Sequence, residues 1–296
     1  MSSRDRDRGK RAKRRIRWSE IVGYSAILLL IIIVAYLAAP EYQFSTSNVQ
    51  TSAPQVKRAA VIDQLSAIKP SSGLIQSAYS MLTSRGISTD IFLPGDITVD
   101  FYASLASRGY DLIILRVHTG LGNAQAPIGL FTNEPYDPNR YVLEQGDGLV
   151  GSAQADSGGP VVFAVTPKFI REKMQGQFQG TIIVLGGCYG LHGGDLADAF
   201  VSKGARVVVG WSGLVDLDHT DAALSAFMKD FIQQNMTIRN SVDATMTVVG
   251  PDPNSGSALS YYPSDQGDVT LALYAAQHGI LTAATSQELR SKPFDA

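Results

Sequence analysis

Beyond residue 58 the chain alternates between short apolar runs rich in β-branched residues and longer amphipathic stretches. The apolar runs are AAVID (59–63), DLIILRVH (111–118), GTIIVLGGC (180–188) and ARVVVGW (205–211). Continuous apolar runs of this length are typical of parallel strands that are buried on both faces and connected by helical crossovers. The sequence therefore predicts an α/β fold, with a mainly parallel sheet flanked by helices.

The stretches between the apolar runs predict the helices. Apolar side chains recur at helical spacing over 74–85, and Gly86 follows as a residue that tolerates a positive φ angle. Between His118 and Gly180, turn residues separate short apolar runs and predict a small antiparallel excursion. The remaining predicted elements are helices over 98–108, 195–203, 221–234 and 238–248, and a short strand over 91–93.

Charge is distributed unevenly along the chain. Residues 1–17 contain nine Lys or Arg and two Asp, a net charge of +7, whereas the whole chain has a net charge of -2. The remaining residues therefore sum to -9 and offer nucleic acid no basic face, so no nucleic-acid partner is expected.

A segment of 19 residues without a charged side chain, 21–39, follows the basic tip. As a helix it would cross about 28 Å, so we expect a transmembrane helix over 18–39, with Trp18 at the headgroup level. A buried core helix would show a polar stripe, which is missing, and a cleaved signal peptide would have a shorter apolar region and no Pro40 after the small residues. Cleavage of the anchor stays open.

The positive-inside rule assigns an orientation to this anchor. It leaves the basic tip, 1–17, in the cytoplasm and sends the chain after the helix to the other side of the membrane. Residues 40–57 are rich in Ser, Thr, Gln and Pro and predict a flexible linker. The expected protein is thus single-pass, with an extracytoplasmic domain over 58–296.

Two of the most apolar strands run into residues that carry chemistry, His118 and Cys188. In an open parallel sheet, ligands bind beyond the carboxyl ends of the strands, and an imidazole near a thiol can take its proton to give an attacking thiolate. Cys188 is the only cysteine of the chain, so no intrachain disulfide can form. A free cysteine is also often a small buried hydrophobe, and these residues alone leave a reactive and a structural role equally open.

The segments DLIILRVHTG and TIIVLGGCYG resemble the His and Cys motifs of the caspase-like superfamily of cysteine peptidases, which includes clostripain, gingipains and CHAT-domain proteins. The resemblance implies a caspase-like three-layer sandwich and covers roughly 59–234. It further implies that His118 is the base and Cys188 the nucleophile, and that the N–H groups of Cys188 and of Gly120 or its neighbour stabilise the oxyanion. No metal or organic cofactor is implied.

The chain departs from the family pattern at two positions. Thr119 stands where many members have Gly directly after the His, and Gly186 stands where basic-specific members have Asp two residues before the Cys. Asp216 and Asp218, with Trp211 at the end of the preceding strand, are the candidates for lining a substrate pocket, although exposed acidic residues are often only solvated.

Two further motifs do not change this interpretation. His192 lies close to Cys188, but one Cys and one His without a second ligand pair do not make a metal site. The segment DSGGP (156–160) matches the serine motif of chymotrypsin-like peptidases, whose all-β fold has no place for the predicted helices.

The sequence as a whole favours a membrane-anchored extracytoplasmic cysteine peptidase that acts on a protein or peptide substrate. Two alternatives from other classes remain open. The first is a catalytically inactive caspase-like binding or scaffold module at the cell surface, and the second is a structural envelope protein with a buried cysteine. The reactivity of the Cys188 thiol distinguishes the three.

Overall fold

The computed structural model describes residues 58–121 and 127–272, which belong to one compact unit of the chain. The basic tip, the expected transmembrane helix and the linker lie outside the described residues. Among the helices that are described, none combines the length and the apolar character needed to cross a bilayer.

In the described residues, ten strands form two sheets. In the six-stranded sheet the order is β2-β1-β3-β8-β9-β10, with all neighbours parallel except β10, which runs antiparallel to β9. The four-stranded sheet has the order β4-β5-β7-β6 and is antiparallel throughout. The strands are β1 (Arg58–Asp63), β2 (Ser88–Phe92), β3 (Leu112–Arg116), β4 (Thr119–Leu121), β5 (Ile128–Pro135), β6 (Val150–Gln154), β7 (Val161–Val165), β8 (Ile182–Leu185), β9 (Val207–Trp211) and β10 (Leu259–Tyr262).

Helices cover both faces of the six-stranded sheet. Side chains of β3 alternate between the faces, so that Ile113 and Leu115 pack in one core cluster and Leu112 and Ile114 in the other. The first cluster contains side chains of α2, α4 and α5, and the second contains side chains of α1, α6 and α7. The helices are α1 (Ser72–Ser84), α2 (Val99–Ser104), α3 (Val142–Gly146), α4 (Pro167–Glu172), α5 (Asp195–Ser202), α6 (Leu217–Met228) and α7 (Ile238–Val248).

The fold class predicted from the sequence is confirmed as a mixed α/β fold with a mainly parallel sheet flanked by helices. The antiparallel excursion between β3 and β8 is confirmed as the four-stranded sheet. The predicted stop at Gly86 is confirmed, since this residue follows α1 with a positive φ angle of 75°, and Gly204 follows α5 in the same way with a φ angle of 101°. A positive φ angle ends a helix, and glycine adopts it readily because it has no Cβ atom.

Local capping and sheet pairing account for the differences from the predicted elements. The helix predicted over 98–108 becomes a 3-10 helix from Leu105, and the helix predicted from residue 221 starts at Leu217 because Asp216 caps it. The edge strands were less visible in the sequence. β2 begins three residues before the predicted strand, and β10 was not predicted.

Candidate functional site

The topology brings the two strand ends that carry His118 and Cys188 side by side. β3 and β8 are hydrogen-bonded neighbours, with Leu115 in register with Leu185. His118 lies two residues beyond β3, and Cys188 lies three residues beyond β8. The backbones remain in contact beyond the strands, because Thr119 Oγ1 donates a hydrogen bond to the Cys188 carbonyl. Both candidate residues therefore lie at the same end of the sheet, beyond the carboxyl ends of two neighbouring strands.

The imidazole of His118 is half-buried, and its Nε2 atom is buried without a hydrogen-bond partner among the described residues. The ring lies against Phe131, with 5.7 Å between the ring centroids. Burial lowers the pKa of His118 below its ordinary value, and the charge of Asp156 opposes this shift. Buried polar atoms without a partner are uncommon, and a catalytic role is one of the reasons for which a protein keeps one.

The thiol of Cys188 is half-buried and contacts the backbone of Val215. Its Sγ atom lies 3.5 Å from both the Val215 carbonyl, to which it donates, and the Val215 nitrogen, from which it accepts. Burial raises the pKa of Cys188, and the contact with Val215 N–H partly offsets the rise. The thiol is therefore neutral at pH 7 in this conformation.

Two glycines before Cys188 allow the strand ends to come this close. A Cβ atom on Gly187 would lie 2.5 Å from the Val117 carbonyl oxygen and 2.7 Å from Thr119 Oγ1. A Cβ atom on Gly186 would lie 2.5 Å from Leu224 Cδ1 of α6. The space beside Gly186 is thus filled by an apolar side chain.

The turn after Cys188 has an unusual backbone. Tyr189 has a positive φ angle of 60°, which is rare for a residue with a large side chain, and its N–H donates to the Gly213 carbonyl at 2.7 Å. Strained conformations of this kind persist where the surrounding structure fixes them. The backbone directly after the candidate nucleophile is therefore tightly held.

A buried glutamine fixes the backbone of His118. Gln64, which follows β1, accepts the His118 N–H on Oε1 at 2.8 Å and donates from its own N–H to the Arg116 carbonyl at 2.9 Å. Its side-chain Nε2 lies 3.5 Å from the Thr132 carbonyl of β5. Gln64 thus joins the ends of β1 and β3 to the antiparallel sheet, a role that the sequence did not indicate.

The last residue of β3, Arg116, is fully buried and is held by two carboxylates. It donates from Nη1 to Asp63 at 2.7 Å and from Nε and Nη2 to the two oxygens of Asp221 at 2.6 and 2.9 Å. Burial alone would lower the pKa of Arg116, but the hydrogen bonds to Asp221 and Asp63 raise it above its ordinary value. The network ties α6 and β1 to the strand that precedes His118.

The loop behind Cys188 is anchored by the turn PDPNSG (251–256). Asp252 accepts the N–H of Asp216 at 2.8 Å, and Ser257 Oγ accepts the N–H of Gly213 at 2.8 Å. These bonds lie on either side of Val215, which contacts the thiol. The turn and Ser257 after it therefore position the backbone that surrounds Cys188.

The ladder between β4 and β5 shows which of two N–H groups, that of Gly120 or that of its neighbour Thr119, is free to stabilise an oxyanion. The Phe131 N–H donates to the His118 carbonyl at 3.0 Å, and Gly120 is in register with Gly129. Because hydrogen-bonded pairs alternate along an antiparallel ladder, Gly120 and Gly129 form the next such pair. The Gly120 N–H therefore points towards β5, and the Thr119 N–H points away from it.

The expected pocket residues have other roles. Trp211 has no exposed surface and donates from Nε1 to Thr220 at 3.0 Å, so the expectation that it lines a substrate pocket is wrong and it belongs to the core. Asp216 caps α6 by accepting the N–H of Asp218 at 2.9 Å. The Asp218 side chain is 79% exposed and pairs with Lys69. In the described part of the chain, neither carboxylate forms a hydrogen bond with the Cys188 thiol, whose partner is Val215.

The described residues contain no group of three or more His, Cys, Asp and Glu side chains arranged to hold a metal ion. His192, which the sequence did not favour as a ligand, packs its ring against Tyr189 at 5.4 Å.

No family model matches this chain. No match was found among the curated proteins either.

Proposed function

We propose that this chain is a cysteine peptidase in which Cys188 and His118 form the catalytic dyad. The observation that carries the proposal is the buried Nε2 atom of His118, which has no partner among the described residues, in a residue whose strand is the neighbour of the strand that leads to Cys188. A buried imidazole nitrogen without a partner costs stability, and a proton acceptor for catalysis is a reason to keep one.

The burial of both groups favours general-base catalysis over a preformed ion pair. The pKa of His118 is lowered and that of Cys188 is raised, so both are neutral at pH 7. On substrate binding, Sγ would leave the Val215 backbone and attack the peptide carbonyl while its proton moves to the imidazole. The imidazolium would then protonate the leaving amine, and water would hydrolyse the thioester to regenerate the thiol.

The oxyanion of the tetrahedral intermediate needs N–H donors that the fold has not already used. We assign this role to the N–H groups of Cys188 and Thr119, because the Gly120 N–H faces β5 in the ladder. The hydrogen bond from Thr119 Oγ1 to the Cys188 carbonyl would hold these two backbone segments in a fixed relation.

The proposal includes the caspase-like three-layer architecture and the membrane anchor. The order of the parallel strands places the His and Cys strand ends next to each other, as the resemblance requires. The anchor rests on the uncharged segment 21–39 and the basic tip before it. A membrane-impermeant maleimide tests it in intact cells: in a Cys188→Ala background, Ser264→Cys should react and Ser2→Cys should not.

The dyad is tested by labelling the purified full-length chain with a peptidyl acyloxymethyl ketone. Because Cys188 is the only cysteine, the label reports on a single thiol. We expect labelling of the natural protein and none of Cys188→Ala. For His118→Gln we expect a labelling rate that is at least about 100-fold lower than that of the natural protein. Peptide cleavage that persists in Cys188→Ala would refute the proposal.

A binding module without catalysis is the second candidate, and the contact of the thiol with the Val215 backbone favours it. In that case the thiol would stay in this position and react no faster than a buried cysteine. His118→Gln would then leave the alkylation rate of Cys188 unchanged, and no peptide would be cleaved.

A further inference from the structure

One face of the antiparallel sheet forms a cavity of about 620 Å³. We call it the glycine trough. Sites for small molecules and side chains commonly have volumes of about 300–1,000 Å³, so the trough is large enough for a bulky side chain with some of its flanking backbone. It is lined by Gly120, Pro127, Gly129, Phe131, Gly148, Val150, Gly151, Ser152, Ala153, Gln154, Val161, Ala164 and Thr166.

The strand register places the His118 imidazole on the same face of the sheet as the trough. His118 is hydrogen-bonded to Phe131, and residues paired across a ladder project to the same face. Phe131 is in turn in register with Ala164, which pairs with Gly151. The ring contact between His118 and Phe131 agrees with this placement. The imidazole and the trough therefore share one face of the sheet, and Phe131 both contacts the His118 ring and lines the trough.

The trough results from small residues on one face only. The opposite face carries Leu130, Phe163 and Val165, which are fully buried in the core. On the trough face the corresponding rows carry Gly129, Gly151 and Ala164. A Cβ atom on Gly151 would meet no atom within 4 Å, so packing against a neighbour does not require glycine there. The missing side chains leave space for a ligand.

The lining of the trough also defines the chemistry of its ligand. None of its described lining residues is ionisable. Its polar groups are the side chain of Thr166 and the backbone, because Ser152 pairs with Phe163 and, like Gln154, projects from the opposite face. A charged side chain placed there would lose its hydration without gaining a partner of opposite charge among these residues. A large neutral side chain would bury apolar surface against Phe131.

We infer that the glycine trough is a specificity subsite that accepts a bulky neutral side chain, such as Phe, Trp or Leu, of the peptide substrate near the scissile bond. The inference rests on the proposed peptidase function, because Phe131 connects the trough to the proposed base His118. Gly151 is then a specificity-determining position, since a larger side chain there fills the trough without straining the backbone.

Binding to the inactive full-length Cys188→Ala protein tests the subsite separately from catalysis. The probes are short fluorescein-labelled alanine-based peptides with a single Phe, Leu, Lys or Glu at each position in turn, followed by fluorescence anisotropy. We expect Phe and Leu peptides to bind about tenfold tighter than Lys and Glu peptides. Adding Gly151→Leu should remove this preference.

The matched control is Gly146→Leu at the end of α3, where a Cβ atom also meets nothing within 4 Å. It should keep the preference, and because all variants are measured in the same detergent, peptide binding to detergent cancels. Equal binding of charged and neutral peptides, or a preference that survives Gly151→Leu, would overturn the subsite. A preference in the absence of any cleavage by the natural protein would instead refute the peptidase proposal and leave the subsite standing.

Discussion

The buried Arg116 is the position at which a single substitution should destabilise the fold most clearly. Its side chain is 1% exposed, and that of its partner Asp63 is 2% exposed. In Arg116→Met the Met side chain fills the space of the apolar part of Arg116, but the carboxylates of Asp63 and Asp221 lose their shared cation. Removing one partner of a buried ion pair costs about 3–5 kcal/mol, because the remaining charge stays desolvated.

Arg171→Met is the matched control, because Arg171 also bonds two carboxylates but at the surface. Its side chain is 34% exposed, and the side chains of Asp195 and Asp198 are about half exposed. Ion pairs of this kind contribute about 0–1 kcal/mol. The same substitution should therefore have very different effects at the two positions.

Urea unfolding followed by circular dichroism measures the difference. With an m-value of about 3 kcal/mol per molar, Arg116→Met should lower the midpoint by about 1–2 M, and Arg171→Met by less than about 0.3 M. Adding Asp63→Asn and Asp221→Asn to Arg116→Met should restore part of the stability, because the desolvated charges are gone. Equal midpoints for the two Met variants, or a further loss in the triple variant, would refute this reasoning.

Three further predictions concern the strand ends. Gly187→Ala should lower kcat/KM by about 100-fold, since its Cβ atom would push the Val117 carbonyl away and misplace the dyad, and steady-state kinetics with a cleaved peptide measure it. Gln64→Leu should destabilise the protein by about 1–3 kcal/mol in urea unfolding, because the His118 N–H loses its acceptor, whereas an unchanged midpoint would exclude this role. The rate of Cys188 alkylation by iodoacetamide should still rise above a pH of about 8.5, because burial raises the pKa of the thiol and the thiolate forms late; a plateau near neutral pH would contradict the neutral resting pair.

The sequence predicted the parallel strands and most helices because burial on both faces leaves a continuous apolar run, which is a strong local signal. Edge strands have no such signal. In β10 (Leu259–Tyr262) Leu259 is buried, Tyr261 is half-buried, and Ser260 and Tyr262 are exposed. The strand exists because Trp211 and its neighbours in β9 offer a free antiparallel edge. Pairing of this kind depends on tertiary contacts and cannot be deduced from a four-residue segment.

The sequence contains a signal for the Arg116 network. The strand AAVID ends in an acidic residue and LIILR (112–116) ends in a basic one, and both charges close runs that are otherwise apolar. A charge at the end of a buried strand needs a partner, and the structure places Asp63 in register with Arg116. The second partner, Asp221, lies on a helix more than a hundred residues away in sequence, and no local pattern identifies it.

The glycines around Cys188 show why a site can be located from sequence while its geometry cannot. From the sequence, Gly186 and Gly187 suggest that the backbone approaches a substrate, which is one reason for the absence of a side chain. In the structure the closest neighbours of these positions are protein atoms, namely the Val117 carbonyl and the Leu224 side chain. The glycines are therefore required by the approach of β3 to β8, and it is this approach that brings His118 to the edge where Cys188 lies. Any substitution that widens the gap between these two strand ends should then impair the chemistry before it impairs the fold.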